Sequence, residues 1–141
     1  MTRTTIQETL EKTGIMVIDG SMSTALEVMG CDLNDSLWTA KALDQRPDLV
    51  EKVHENYFEA GADCGITCSY QATIPGLMAK GHTLAEAEDL IIRSVELFRE
   101  ARERWWQREG RADGRAWPLC LAGIGPYGAY LADGSEYRGD Y

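Results

Sequence analysis

The sequence predicts an α/β fold built on a parallel sheet, and three observations carry that prediction. Short β-branched or apolar runs alternate with longer stretches of helical periodicity. Each apolar run is followed at once by a polar or glycine-rich segment. The intervening stretches are long enough to return the chain by the right-handed crossovers that parallel strands need. The order reads as a helix followed by β-α-β-α-β with extra helices, a single unit over residues 1–141.

The elements follow from local chemistry. Ile6–Lys12 reads as a short helix ended by Gly14. Ile15–Ile18 is a continuous β-branched run, expected to be a strand buried on both faces. Asp19-Gly20 breaks it, and Ser21, Ser23 and Thr24 offer capping hydroxyls for a helix through Leu26, Val28 and Met29 that Gly30 ends. Ser36–Leu43 reads as another short helix. Pro47 fits the first turn of the next, whose stripe is Leu49, Val50, Val53, Tyr57 and Ala60, and Gly61 closes it. Cys64–Tyr70 is the second expected strand. Thr83 and Glu86 then form a capping box ahead of Leu84, Ala87, Ile91, Val95, Phe98 and Trp105 at helical spacing. Gly110–Gly114 reads as a polar loop and Trp117–Ala122 as the third strand. After it comes a glycine-rich loop in which Pro126 and Asp133-Gly134-Ser135 prevent a continuous helix.

Composition narrows the function classes. Hydrophobic residues make up 44% and charged residues 26%, as in soluble globular domains. A net charge of −9 argues against nucleic acid and anionic membrane as partners, since both recruit basic patches. No apolar run approaches the roughly 18 residues of a membrane span, and the polar start does not read as a signal peptide. Cys31, Cys64, Cys68 and Cys120 are too sparse for a disulfide framework, so reduced thiols and a cytoplasmic location are expected.

In a parallel α/β fold the C-terminal strand ends share one side. Asp19-Gly20-Ser21, the segment Ser69–Thr73 and the Gly123 loop are therefore expected to converge on one site. Asp19 could bind a substrate ammonium or simply cap the next helix. Thr67, Ser69, Tyr70 and Gln71 are polar groups in a strand-like run, and Trp38 could cover an apolar or cationic ligand. Gly123-x-Gly125-x-x-Gly128 matches a dinucleotide-binding fingerprint, but Pro126 and the missing downstream carboxylate argue against that reading. Cys64 and Cys68 on one strand would stand roughly 13 Å apart, too far to share a zinc ion. His54 and His82 read as ordinary structural residues. Three strands leave both sheet edges open, so the sheet is expected to belong to something larger.

Together these segments resemble the S-methylmethionine-dependent branch of the homocysteine S-methyltransferase family. The matching stretches are Asp19-Gly20-Ser21-Met22-Ser23-Thr24 with Leu26-Glu27, Asp35-Ser36-Leu37-Trp38, Ala60-Gly61-Ala62, Thr67-Cys68-Ser69-Tyr70-Gln71-Ala72 and residues 125–137. The resemblance implies the first part of a (β/α)8 TIM barrel, the N-terminal half of an enzyme that methylates homocysteine to methionine. It implies a sulfonium donor, S-methylmethionine or S-adenosylmethionine. It also implies a zinc ion whose three cysteine ligands lie beyond residue 141, so the chain alone is expected to be inactive. By the same resemblance Asp19, with Gly20 allowing close approach, would bind the homocysteine amino group. Thr67, Ser69, Tyr70 and Gln71 would line the pocket, while Trp38, Tyr127 and Tyr130 would help enclose the donor. Two other readings remain: a non-catalytic fragment that self-associates through open sheet edges, and a nucleotide-binding α/β module using the Gly123 loop.

Overall fold

A computed structural model describes residues 5–110 and 114–140. The expected Gly110–Gly114 loop therefore lies partly outside the described residues. Helix α1 (Ile6–Thr13) opens with a reciprocal capping box between Thr5 and Glu8 and ends on left-handed Gly14. Helix α2 (Met22–Val28) is capped by the Ser21 hydroxyl, α3 spans Thr39–Gln45, and α4 (Pro47–Glu59) starts on its proline. Strand β1 (Cys64–Ile66) leads through α5 (Ile74–Ala79) to the long α6 (Leu84–Trp105), which has the Thr83–Glu86 capping box. A π-helical turn at Trp106–Gly110 precedes β2 (Leu119–Leu121), α7 (Tyr127–Leu131) and α8 (Ser135–Arg138).

The sheet is parallel, with β1 in the middle. On one side Cys64, Gly65 and Ile66 pair with Leu119, Cys120 and Leu121. On the other, Ile18 bridges Cys64, the Val17 carbonyl accepts from the Asp63 N–H at 2.8 Å, and the Asp19 N–H donates to the Cys64 carbonyl at 3.1 Å. All three segments thus end on the same side, as the alternation predicted.

Helices α4 and α6 pack against each other under this sheet. Leu26, Leu43, Val50, Val53, Leu77 and Leu97 form one buried cluster. Phe58, Phe98, Ala101 and Trp105 form a second, against which Cys120 packs from β2. Phe58 meets Phe98 edge-on at 5.3 Å and Trp105 at 5.6 Å. A Cβ on Gly65 would lie 2.7 Å from the Phe98 ring, so α6 sits directly on bare backbone of β1.

Several sequence expectations need correction. Ile15–Ile18 is not a doubly buried strand: Ile15, Val17 and Ile18 are 66%, 43% and 53% exposed, and pairing is limited to one bridge. Burial of a strand requires neighbours on both faces and both edges, and among the described residues this segment has only β1 beside it. The second strand stops at Ile66 rather than Tyr70, because the Ser69 N–H turns back to the Thr67 carbonyl at 2.8 Å. The third shrinks from Trp117–Ala122 to Leu119–Leu121. The helix expected over Ser36–Leu43 begins only at Thr39, since the Asp35 carboxylate captures the Leu37 N–H at 2.9 Å and Trp38 adopts a positive φ of 44°. Helix α5 was not expected; Thr73 caps it although Pro75-Gly76 reads locally as a turn. Pro126 does not block a helix after β2. It stands at the N-cap of α7, and left-handed Ala132 separates α7 from α8.

His54 of α4 is fully buried, edge-on to Phe98 at 5.1 Å, and neither ring nitrogen has a protein partner. Burial lowers its pKa to about 4. The folded state therefore holds His54 neutral where the unfolded chain, near pKa 6.5, takes a proton. Stability contributed by this mismatch is complete above pH 6.5 and is lost as pH falls from 6.5 toward 4, by roughly 3 kcal/mol in all. Urea melts of the native chain and H54L should show the variant gaining relative stability over that interval. A pH-independent difference between them would refute the assignment.

Candidate functional site

The strand ends build one polar face from three corners. At the first, Asp19 follows the bridged residue Ile18. It does not cap α2, since Ser21 does that through the Thr24 N–H at 3.2 Å. Instead its Oδ2 accepts the Ile66 N–H at 3.0 Å, occupying the place where a further residue of strand pairing would stand. Its Oδ1 is buried without a hydrogen-bond partner, and burial raises its pKa above the usual carboxylate range. Gly65 makes room for this carboxylate: a Cβ there would lie 3.0 Å from Oδ2.

The second and third corners are knotted together. The Gly123 N–H donates to Thr67 Oγ1 at 2.9 Å, and the Ser69 hydroxyl donates to the Gly123 carbonyl at 2.8 Å. With both those directions set, the Thr67 hydroxyl must donate to Ser69 Oγ across 2.7 Å. The ring of three bonds ties the β1 loop to the β2 loop. Glycine is required on the β2 side. A Cβ on Gly123 would stand 2.7 Å from the Thr67 carbonyl oxygen, and one on Gly125 would collide with the Tyr70 carbonyl oxygen. The first two glycines of the GxGxxG pattern thus serve the contact between two loops.

Aromatic side chains surround these corners. Tyr127 and Tyr130 of α7 lie 5.9 Å apart, and both are exposed, as are Tyr70 and Trp38. The Tyr130 ring and Leu37 flank Gly76 of α5, at 3.8 and 3.3 Å from the position of an added Cβ, so the Trp38 turn and α7 meet across α5. Gln71 is buried in the turn after β1. The Cys68 thiol, also buried there, donates to the Thr39 carbonyl and docks the start of α3 onto this turn.

The structure therefore unites Asp19 and Gly20 with the β1 turn through Ile66, and Thr67 and Ser69 with the Gly123 loop. Leu37, next to Trp38 in sequence, lies beside Gly76 of α5. Tyr57 of α4 went unremarked in the sequence except as part of a helical stripe. Its hydroxyl donates to the Ser21 carbonyl at 3.0 Å and its ring lies against Gly20. The available signal was a polar-headed aromatic in an otherwise aliphatic stripe.

Burial pushes the Cys68 thiol up to about 12 and raises Cys64 and Cys120 as well. Among the described residues no group of three or more His, Cys, Asp or Glu side chains could hold an ion.

Parallel segments alternating with helices, and gathering polar loops at their C-terminal ends, place the chain among α/β proteins, whose ligand sites are commonly built from such loops. Residues 16–141 match the homocysteine S-methyltransferase family, and the chain belongs to it. It is 54% identical over 136 residues to the homocysteine S-methyltransferase YbgG of Bacillus subtilis, covering 96% of this chain and 43% of that protein. Over 133 residues it is 53% identical to the homocysteine S-methyltransferase of Escherichia coli, covering 94% of this chain and 42% of that one. The crystal structure of the E. coli homocysteine methyltransferase MmuM in its metallated form superimposes with a TM-score of 0.85 at 52% identity, over 94% of this chain and 45% of that one. The chain thus spans less than half the length of these relatives.

Gly125→Ala should force the two loops apart. The expected loss is about 1–3 kcal/mol in chemical denaturation, with a changed near-ultraviolet tyrosine signal from the α7 region. An unaltered midpoint would show that the loops do not need this contact.

Proposed function

We propose that this chain forms the substrate-facing part of a homocysteine S-methyltransferase. The complete enzyme moves a methyl group from S-methylmethionine, or S-adenosylmethionine, to homocysteine and yields methionine. The homocysteine thiol loses its proton, its sulfur takes the methyl carbon, and the broken carbon–sulfur pair stays with the departing thioether. The observation that carries this reading is Asp19. One carboxylate oxygen is fixed by a backbone N–H, and the other is buried with no partner. A buried, unspent acceptor of this kind is costly unless a donor arrives, and a substrate ammonium supplies both the proton and the charge. Gly20 forms the corner beside it, the space of its missing side chain being taken by the Tyr57 ring. Tyr70, Gln71 and the Thr67–Ser69 turn form the wall beside it, and Trp38, Tyr127 and Tyr130 offer aromatic faces to a sulfonium cation.

The parent enzyme uses zinc, on this reading, with ligands supplied by polypeptide outside these 141 residues. All four cysteines are free, which suits a cytoplasmic setting. A second reading, self-association, is favoured by Ile15, Val17 and Ile18 exposed beside the open edge of the sheet. Light scattering tests it: a concentration-dependent dimer or larger species is its expected outcome, and a monomer at all concentrations would remove it.

Calorimetry tests the main proposal. The chain should bind homocysteine, and Asp19→Asn should weaken binding about 10- to 100-fold, the worth of a hydrogen bond to a charged group. The deaminated analogue 4-mercaptobutyrate should bind both forms alike. Binding that falls away as pH drops through the elevated pKa of Asp19 would agree. Equal homocysteine binding by the variant, or none by the native chain, would overturn the reading. With zinc, homocysteine and S-methylmethionine added, the isolated chain should form no methionine, and turnover would show that the metal ligands are in fact within it.

A further inference from the structure

We propose that Tyr57 is a positioning residue for the Asp19 carboxylate, acting through the Gly20–Ser21 corner; this rests on assigning Asp19 to the substrate ammonium. Asp19 is held from one side only, by its side-chain bond to the Ile66 N–H and its backbone bond to Cys64. Immediately after it the chain must turn sharply out of the sheet and into α2. Nothing in the strand ladder fixes that turn, since pairing on this side is limited to the Ile18 bridge.

Tyr57 supplies the missing restraint from a different element. Its ring covers Gly20 so closely that an added Cβ would lie 2.8 Å from Oη, 2.9 Å from Cε1 and 3.0 Å from Cζ. Its hydroxyl donates to the Ser21 carbonyl at 3.0 Å, the same oxygen that accepts the first helical bond of α2 from the Ala25 N–H at 3.2 Å. One side chain therefore pins both residues of the corner to α4. A glycine corner without this clamp would be free to rotate. Asp19 could then swing toward solvent or toward the free N–H groups at the start of α2. Either move would satisfy Oδ1 and remove its demand for a cation. Burial and the nearby Asp19 charge both raise the Tyr57 pKa, which keeps the phenol protonated as the donor the geometry needs.

Tyr57→Phe keeps the ring over Gly20 and deletes only the tether, and Ser21 retains its helical bond, so the variant should fold. In the 141-residue chain, hydrogen exchange reads the effect without substrate. The Ile66 amide, protected by Asp19, should exchange about 10-fold faster in Y57F, while the Leu97 amide in α6 stays within about 2-fold. Exchange at Ile66 that is unchanged, or that accelerates only in step with Leu97, would overturn the proposal. A double-mutant cycle with D19N then separates it from the functional reading. Y57F should weaken homocysteine binding several-fold in the native background, not at all in D19N, and not for 4-mercaptobutyrate. Loss of equal size in both backgrounds would make Tyr57 merely structural. If D19N itself fails to discriminate the two ligands, the assignment of the ammonium falls, while the exchange result still decides the clamp.

Discussion

The site depends on one close approach: the carbonyl of Tyr70 runs against Gly125 with no room for a side chain between them. The loops after β1 and β2 meet as bare backbone and are then sealed by the Thr67, Ser69 and Gly123 hydrogen bonds. Because those hydroxyls spend their bonds on the seal, the loops keep one relative position. The outward side chains of Tyr70, Tyr127 and Tyr130 inherit it. A parallel sheet supplies the common side on which the loops emerge, but strands of three residues could not alone hold them in register.

The molecule divides its work across the sheet. Beneath it, Phe58, Phe98 and Trp105 fill the space between α4, α6 and the strands. Two arginines close the lower side. Arg102 donates to the Pro118 carbonyl at 2.9 Å and lies 4.7 Å over Trp117, while Arg115 donates to the Phe58 carbonyl at 2.6 Å and lies 4.6 Å over Trp105. Above the sheet, the buried Oδ1 of Asp19 keeps an acceptor unsatisfied beside the loop ends.

What could be read from the sequence was whatever is decided locally. The Thr83–Glu86 capping box, the proline at the start of α4 and the glycine stops needed only neighbouring residues, the parallel order only the alternation of elements, and all are present. Strand extents were not legible, because pairing depends on distant partners. The β-branched run Ile15–Ile18 looks buried by composition, yet burial is a property of what covers it. Helix α5 was missed because what holds it is distant in the sequence: Leu77 is buried in the main cluster, and Gly76 lies beside Leu37. In the site, a capping role for Asp19 could be set aside only once Ser21 was seen to take the cap. The contact of Tyr57 with the Ser21 carbonyl was hidden for the same reason, since its partner lies 36 residues earlier. The GxGxxG pattern shows the converse error: its first two glycines answer to a neighbouring loop, which no linear motif records.

Trp38 holds a left-handed backbone, φ 44°, that costs a residue with a Cβ on the order of 1–3 kcal/mol. It is exposed, so its own side chain does not repay that cost by burial. The strain is sustained by its neighbours, Leu37 and Ala40, which are locked into the α2–α4 core, and by the Asp35 turn before it. Core packing and the pose of this aromatic are therefore a single thermodynamic quantity. Any change that loosens Leu37 or Leu43 will first be released as relaxation of Trp38, long before the chain unfolds. The pose of Trp38 is thus a sensitive gauge of the interior, and it would shift while the fold still looked intact.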